Sequence, residues 1–125
     1  MRGLATSIRP LLLVSEIRTV AADSLWLSPS HTTDCVALHF TWRRDVPAVT
    51  TFLPSLDDAL APYAARPHWG KLFVTEPGRL QEAYPRLREF GGLADRLDPT
   101  GTFRNEQTDE WLGRGAAGAG VDGAS

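Results

Sequence analysis

The chain has 125 residues, 42% of them apolar and 22% charged, with a formal net charge of −2. Those proportions are those of one ordinary globular domain and argue against wholesale disorder, and scattered charges of both signs without a basic run argue against nucleic acid as a partner. No apolar stretch approaches the roughly 18 residues that span a bilayer, Leu11 to Val14 is too short for a signal-peptide core, and the lone Cys35 rules out an intrachain disulfide and fits a reducing, cytoplasmic compartment.

In chain order, Leu13 to Val20 reads as a strand with Val14, Glu16, Arg18 and Val20 on one face and Ser15, Ile17 and Thr19 on the other. Residues 21–33 are loop-like around Ser28-Pro29-Ser30, with Leu25 to Leu27 as a brief extended piece. Cys35 to Trp42 is a second strand. It sets Cys35, Ala37, His39 and Thr41 against an apolar face of Val36, Leu38, Phe40 and Trp42. Asp45 caps a helix with Pro47 in its first turn. Val46, Val49, Leu53, Leu56 and Leu60 form its stripe, and Pro54 is expected to kink or split it. A short strand is expected over 72–75 and a turn at Pro77-Gly78. A second long helix is expected from Tyr84 to Leu97, ended by the tight turn Asp98-Pro99-Thr100-Gly101. Residues 113–125, mostly Gly and Ala, read as a disordered tail. The fold class is α+β, a mixed or antiparallel sheet covered by helices.

The most informative stretch is Arg66-Pro67-His68-Trp69-Gly70-Lys71. Of 13 lysines and arginines together, Lys71 is the sole lysine. A compact ammonium does what a broad guanidinium cannot, although coding bias alone also leaves a stray surface lysine. Trp69 offers an apolar wall, Gly70 permits close backbone approach, and His68 adds a titratable donor or acceptor.

Glu16 and Arg18, two apart on a strand, project side by side. Such a pair can grip a polyhydroxylated ligand, one accepting from hydroxyls and the other donating. It can equally be a surface salt bridge. Thr41, beside His39, either joins that pocket or simply favours a strand. Cys35 reads as a small core residue, because nothing near it in sequence would stabilise a thiolate. His31, His39 and His68 lack metal-ligand spacing, so no metal site is expected. No phosphate loop or nucleophile elbow is present. From the residues alone, the chemistry ends at a polar pocket of Glu16, Arg18, Thr41, His68 and Lys71.

Several stretches taken together carry a resemblance: Ser15 to Thr19, Leu25 to Pro29, His39-Phe40-Thr41-Trp42, Arg66 to Lys71, Tyr84-Pro85, and Asp98 to Asn105. In order and content they resemble the C-terminal part of the sugar-alcohol (xylitol-type alditol) and D-arabinono-1,4-lactone oxidases, FAD enzymes of the vanillyl-alcohol-oxidase superfamily. The match runs from about Ser7 to Leu112, so residues 1–112 would be a C-terminal substrate-domain piece. The resemblance implies that Glu16 and Thr41 hold substrate hydroxyls, and that Arg18 and Lys71 act at the reacting carbon beside the flavin. His68 would help form the wall that Lys71 shares with the cofactor.

Two departures stand out. The family's N-terminal FAD-binding domain has no counterpart, so FAD would be bound mainly elsewhere and this chain alone is expected to be inactive. Gln107 also replaces a usual aromatic residue. Two functions are therefore expected. One is the substrate-binding portion of an FAD-dependent oxidase of CH–OH groups with O2 as acceptor. The other is a non-catalytic remnant or interaction module that partners a separately encoded FAD domain.

Overall fold

The computed structural model describes residues 2–114; apart from Gly113 and Arg114, the expected tail lies outside the described residues. The chain divides into two units, residues 1–75 and 76–125, taken here in turn.

The first unit opens with a 3-10 turn, Arg2–Leu4, and a single helical turn, α1 (Ala5–Ile8), neither of which the sequence pattern announces. Strands β1 (Leu12–Val20) and β2 (Cys35–Trp42) follow the expected segments and pair antiparallel as a two-stranded sheet. A register irregularity between Leu12 and Val14 is followed by regular pairing of Val14 with Thr41, Glu16 with His39, Ile17 with Leu38, and Val20 with Cys35. Helix α2 (Val46–Leu60) starts where Asp45 accepts a hydrogen bond from the Ala48 amide at 3.1 Å.

Pro54 lies inside α2, which the structure shows as one continuous helix rather than two. Losing the Pro54 donor frees only the Thr50 carbonyl. Both residues face water, so solvent can take the freed acceptor.

Val49, Phe52, Leu53 and Leu56 form the core of this unit, with Leu4, Ile8, Leu11, Phe40, Trp42, Leu60 and Val74 packed around them. Phe40 stacks on Trp42 at 5.4 Å between centroids, and Trp42 meets Phe52 edge-on at 6.1 Å. Phe52 replaces Val46 in the expected stripe, for Val46 is 64% exposed. The helix covers only the Phe40 and Trp42 end of the apolar face. At the other end Val36 is 60% and Ile17 75% exposed. Cys35 is half-buried rather than part of the core.

Other expectations fail as well. Residues 72–75 are irregular rather than a strand, held instead by Thr75 Oγ1 donating to Asp57 at 2.8 Å. Leu25 to Leu27 leads into a turn rather than an extended piece. Pro77-Gly78 opens a helix in the second unit, α3 (Pro77–Ala83), where proline at the first position loses no needed donor.

The second unit is helical. Tyr84 does not begin the long helix; it ends α3 in an extended conformation, φ −112° and ψ 92°, as the residue before Pro85 must. Helix α4 then runs over Leu87–Leu97. Leu80, Tyr84 and Leu87 are the buried apolar residues of this unit. The turn after α4 is as expected, with Gly101 at φ +71° and Asp98 accepting from the Thr102 and Phe103 amides, both at 2.8 Å. Those amides, Phe103 first, pull the Asp98 carboxyl below its usual pKa. A final helix, α5 (Glu106–Trp111), was not foreseen, although its capping box is legible in Asn105-x-x-Thr108. Gln107 is exposed on it.

Candidate functional site

Strand alternation and the observed register put Glu16, Arg18, His39 and Thr41 on one face of the sheet, opposite the face that meets α2. Glu16 and Arg18 form an ion pair, and His39 Nδ1 lies 3.4 Å from the second Glu16 carboxylate oxygen. The Arg18 hydrogen bond and charge, with a smaller contribution from His39, hold the Glu16 carboxyl below its usual pKa. At neutral pH Glu16 is therefore a charged acceptor. Its side chain and that of Arg18 are 38% and 64% exposed, so both can reach a ligand without being uncovered.

The second half of the site is a turn built by the hexapeptide. The Lys71 amide donates to the His68 carbonyl at 3.0 Å and closes residues 68–71 into a β-turn. Within it the Gly70 amide donates to His68 Nδ1 at 3.0 Å. An acceptor at Nδ1 places the proton of a neutral imidazole on Nε2, leaving that atom as an available donor. Space does not demand glycine here, because an added Cβ would sit 3.4 Å from the imidazole, an ordinary contact.

The turn is anchored on both sides. Trp69 Nε1 donates to the Leu27 carbonyl at 2.9 Å, and its ring meets Phe73 edge-on at 6.1 Å. Arg66 donates to the carbonyls of Pro29 at 3.2 Å and His31 at 3.0 Å.

Those carbonyls belong to the loop after β1, which is ordered by a residue that sequence reasoning passed over. Asp23 accepts from the Leu25 amide at 2.9 Å, from Ser28 Oγ at 2.5 Å and from Ser30 Oγ at 3.0 Å. Backbone bonds from Asp23 to Ser30 and from Thr32 to Asp23 close the loop. The Ser28 hydroxyl, ahead of the other donors, keeps the Asp23 carboxyl below its usual pKa. The signal was present as Asp23 followed by the hydroxyl cluster Ser28-Pro29-Ser30, a pattern in which one carboxylate can serve several local donors.

A cavity of about 1390 Å³ lies within the first unit, lined along β2 and by the segment from Arg66 to Thr75. His39, Thr41, His68 and Lys71 all contribute to its wall. Glu16 and Arg18 do not line it and connect to it through His39. Thr41, His68 and Lys71 thus border one space, which takes in both faces of β2 and also meets Leu53, Leu56 and Leu60 of α2, with the Glu16–Arg18 pair one residue removed.

The donors present suit the polar edge of a ligand or cofactor ring: the Lys71 ammonium and the His68 Nε2–H are uncommitted in the contacts described, and the Arg66 guanidinium serves the loop. They do not suit a pyrophosphate. Among the described residues the glycines with positive φ are Gly101 and Gly113, both in the second unit, and a Cβ on either would meet the Arg104 or Gln81 side chain of that same unit rather than an open cradle. Among the described residues no group of three or more His, Cys, Asp or Glu is placed to hold a metal ion, and no helix is long and apolar enough to cross a membrane.

Comparison with known proteins gives this cavity its context. Residues 12–114 match the family model for D-arabinono-1,4-lactone oxidase, and the chain belongs to that family. It is similar to alditol oxidase of Streptomyces sp. (strain IKD472 / FERM P-14339), 50% identical over 99 residues, which are 79% of this chain and 24% of that protein. It is also similar to the L-gulono-1,4-lactone dehydrogenase of Mycobacterium tuberculosis, 31% identical over 106 residues, covering 83% of this chain and 24% of the relative. L-gulonolactone oxidase of Mus musculus is 28% identical over 94 residues, 72% of this chain and 21% of the relative. The chain therefore spans about a quarter of the length of the curated relatives it matches.

Proposed function

We propose that the chain supplies the substrate-binding side of an FAD-dependent oxidase that acts on a CH–OH group of a sugar alcohol or aldonolactone with O2 as acceptor, in the cytoplasm. The observation that carries the reading is the convergence of Thr41, His68 and Lys71 on one cavity, within a chain whose family members are named for oxidising alditols and lactones. FAD, held mainly by residues outside this chain, supplies the hydride acceptor. The residues here bind and polarise. Ionised Glu16 and the Thr41 hydroxyl accept from substrate hydroxyls, fixing the polyol. Arg18 and Lys71 place positive charge where negative charge grows on the reacting oxygen, a stabilisation confined to the transition state. His68 donates from the same wall.

The test is a chimera in which this chain replaces the matching segment of the Streptomyces alditol oxidase. Flavin incorporation and peroxide formation from xylitol are expected. Lys71→Arg keeps the charge but displaces it by an ångström or more, which should lower kcat ~100-fold with KM little changed. A flavin-loaded chimera with no turnover, or one indifferent to Lys71→Arg, defeats the proposal. The second reading, an interaction module beside a separate FAD domain, draws on the exposed Ile17 and Val36. It predicts that the purified chain binds such a domain without restoring peroxide formation.

A further inference from the structure

Lys71 stands at the end of a relay of hydrogen bonds that begins at Asp23, and every link lies within the first unit. One Asp23 oxygen accepts from the Leu25 amide, the other from the hydroxyls of Ser28 and Ser30. Ser30 is only 4% exposed, so its hydroxyl depends on that charged acceptor.

The loop held in this way is strained. Thr32 is β-branched yet has φ +60°, a costly conformation that persists only where its surroundings over-determine it. Here the Thr32 amide donates to the Asp23 carbonyl at 2.8 Å, and its hydroxyl to the His31 carbonyl at 2.7 Å. That same His31 carbonyl accepts from Arg66, and the Leu27 carbonyl accepts from Trp69. The strained backbone thus presents its acceptors to the turn that ends in Lys71.

We propose that Asp23 is a positioning residue for Lys71, a role that rests on the oxidase reading given above. The carboxylate holds the loop, the loop holds Arg66 and Trp69, and these fix the turn that aims the ammonium. Asp23 borders the cavity, but its oxygens already serve three loop donors, so it acts through the turn rather than on the ligand. Asparagine has the same shape with a single acceptor oxygen. Whichever way its amide turns, an NH2 group meets either the Leu25 amide or the two hydroxyls.

In the alditol oxidase chimera, Asp23→Asn should lower kcat about tenfold, less than Lys71→Arg, with KM for xylitol little changed and flavin still incorporated. Joined to Lys71→Arg it should add little, because both changes act on the placement of one cation. Val49→Ala, which destabilises the α2 core instead, should leave kcat near wild type. A second measurement needs no turnover. Lys71 is the sole lysine of the 125-residue chain, so isotope-labelled lysine gives one backbone amide signal. Asp23→Asn should shift or split that signal, and Val49→Ala should leave it in place. A chimera that responds to Lys71→Arg but ignores Asp23→Asn would overturn the proposal, as would additive losses in the double variant. If the chimera is flavin-loaded but inactive, the oxidase reading has failed by itself. The lysine signal then decides alone, and one unmoved by Asp23→Asn shows that Asp23 does not place the turn.

Discussion

The two halves of the candidate site are built in opposite ways. The Arg66–Lys71 turn is anchored to neighbouring backbone: Arg66 and Trp69 make three side-chain hydrogen bonds to carbonyls of the 27–31 loop, and that loop is knitted by Asp23. The Glu16–Arg18 pair is held by strand geometry and by each other, with His39 as the further neighbour. Anchoring of the first kind fixes a lysine without committing its ammonium. Pairing of the second kind leaves two charges able to re-form around a ligand. One half is therefore preorganised, whereas the other is adaptable, and only the first should matter much to stability.

The largest expected effect follows from removing the anchor. Trp69→Ala loses the bond to Leu27, the contact with Phe73 and much half-buried apolar surface, which together should cost about 2 kcal/mol. Urea unfolding followed by far-UV circular dichroism measures it. A loss below a few tenths would show that the turn holds itself and would erase the contrast. Gly101→Ala, a control in the second unit, should cost about 1 kcal/mol, because alanine is strained at φ +71° and its Cβ would sit 3.0 Å from Arg104 Cδ.

Acid should loosen the anchored half through Asp23. Its carboxyl is depressed in the folded chain below the 3.8 of an unperturbed aspartate. Its stabilising contribution is therefore present above that unfolded value and is lost as pH falls through the lower folded one. Asp23→Asn should lower the melting temperature at pH 7 but converge on wild type as pH drops below about 4. Parallel melting curves at every pH would mean that the carboxylate charge plays no part in ordering the loop.

The strands and the start of α2 were legible because each rests on a local rule: alternation in Glu16 to Val20 and Cys35 to Trp42, and an Asp45 cap before a spaced apolar stripe. The shared face of Glu16 and Arg18 followed from parity, whereas Thr41 was joined to them by the resemblance and is set on their face by the observed register. Proline caused three of the misreadings. Pro54 sits where water can satisfy the freed carbonyl, Pro77 occupies a first helical turn, and Pro85 forces Tyr84 out of the helix. The same residue type thus continues, starts or ends a helix according to exposure and position, which composition does not carry. The role of Asp23 was hidden for another reason. Its partners are hydroxyls five and seven residues on, and only the folded loop brings them together.

The smallest effect should belong to the adaptable half. Arg18→Lys preserves charge and the pairing of opposite signs along β1, while its 64% exposed side chain packs little. An exposed ion pair of this kind contributes little net stability, because attraction is weakened by solvent and offset by ordering two long side chains. Arg18→Lys should accordingly melt with wild type, and its melting temperature should be insensitive to added salt. In the oxidase chimera the same change should still depress kcat, since a lysine lacks the planar fork that meets an oxygen along two directions. Stability and turnover thus separate at Arg18 while they fall together at Trp69. If Arg18→Lys instead lowers stability as much as Trp69→Ala does, the pair is part of the scaffold, and the division between an anchored and an adaptable half is wrong.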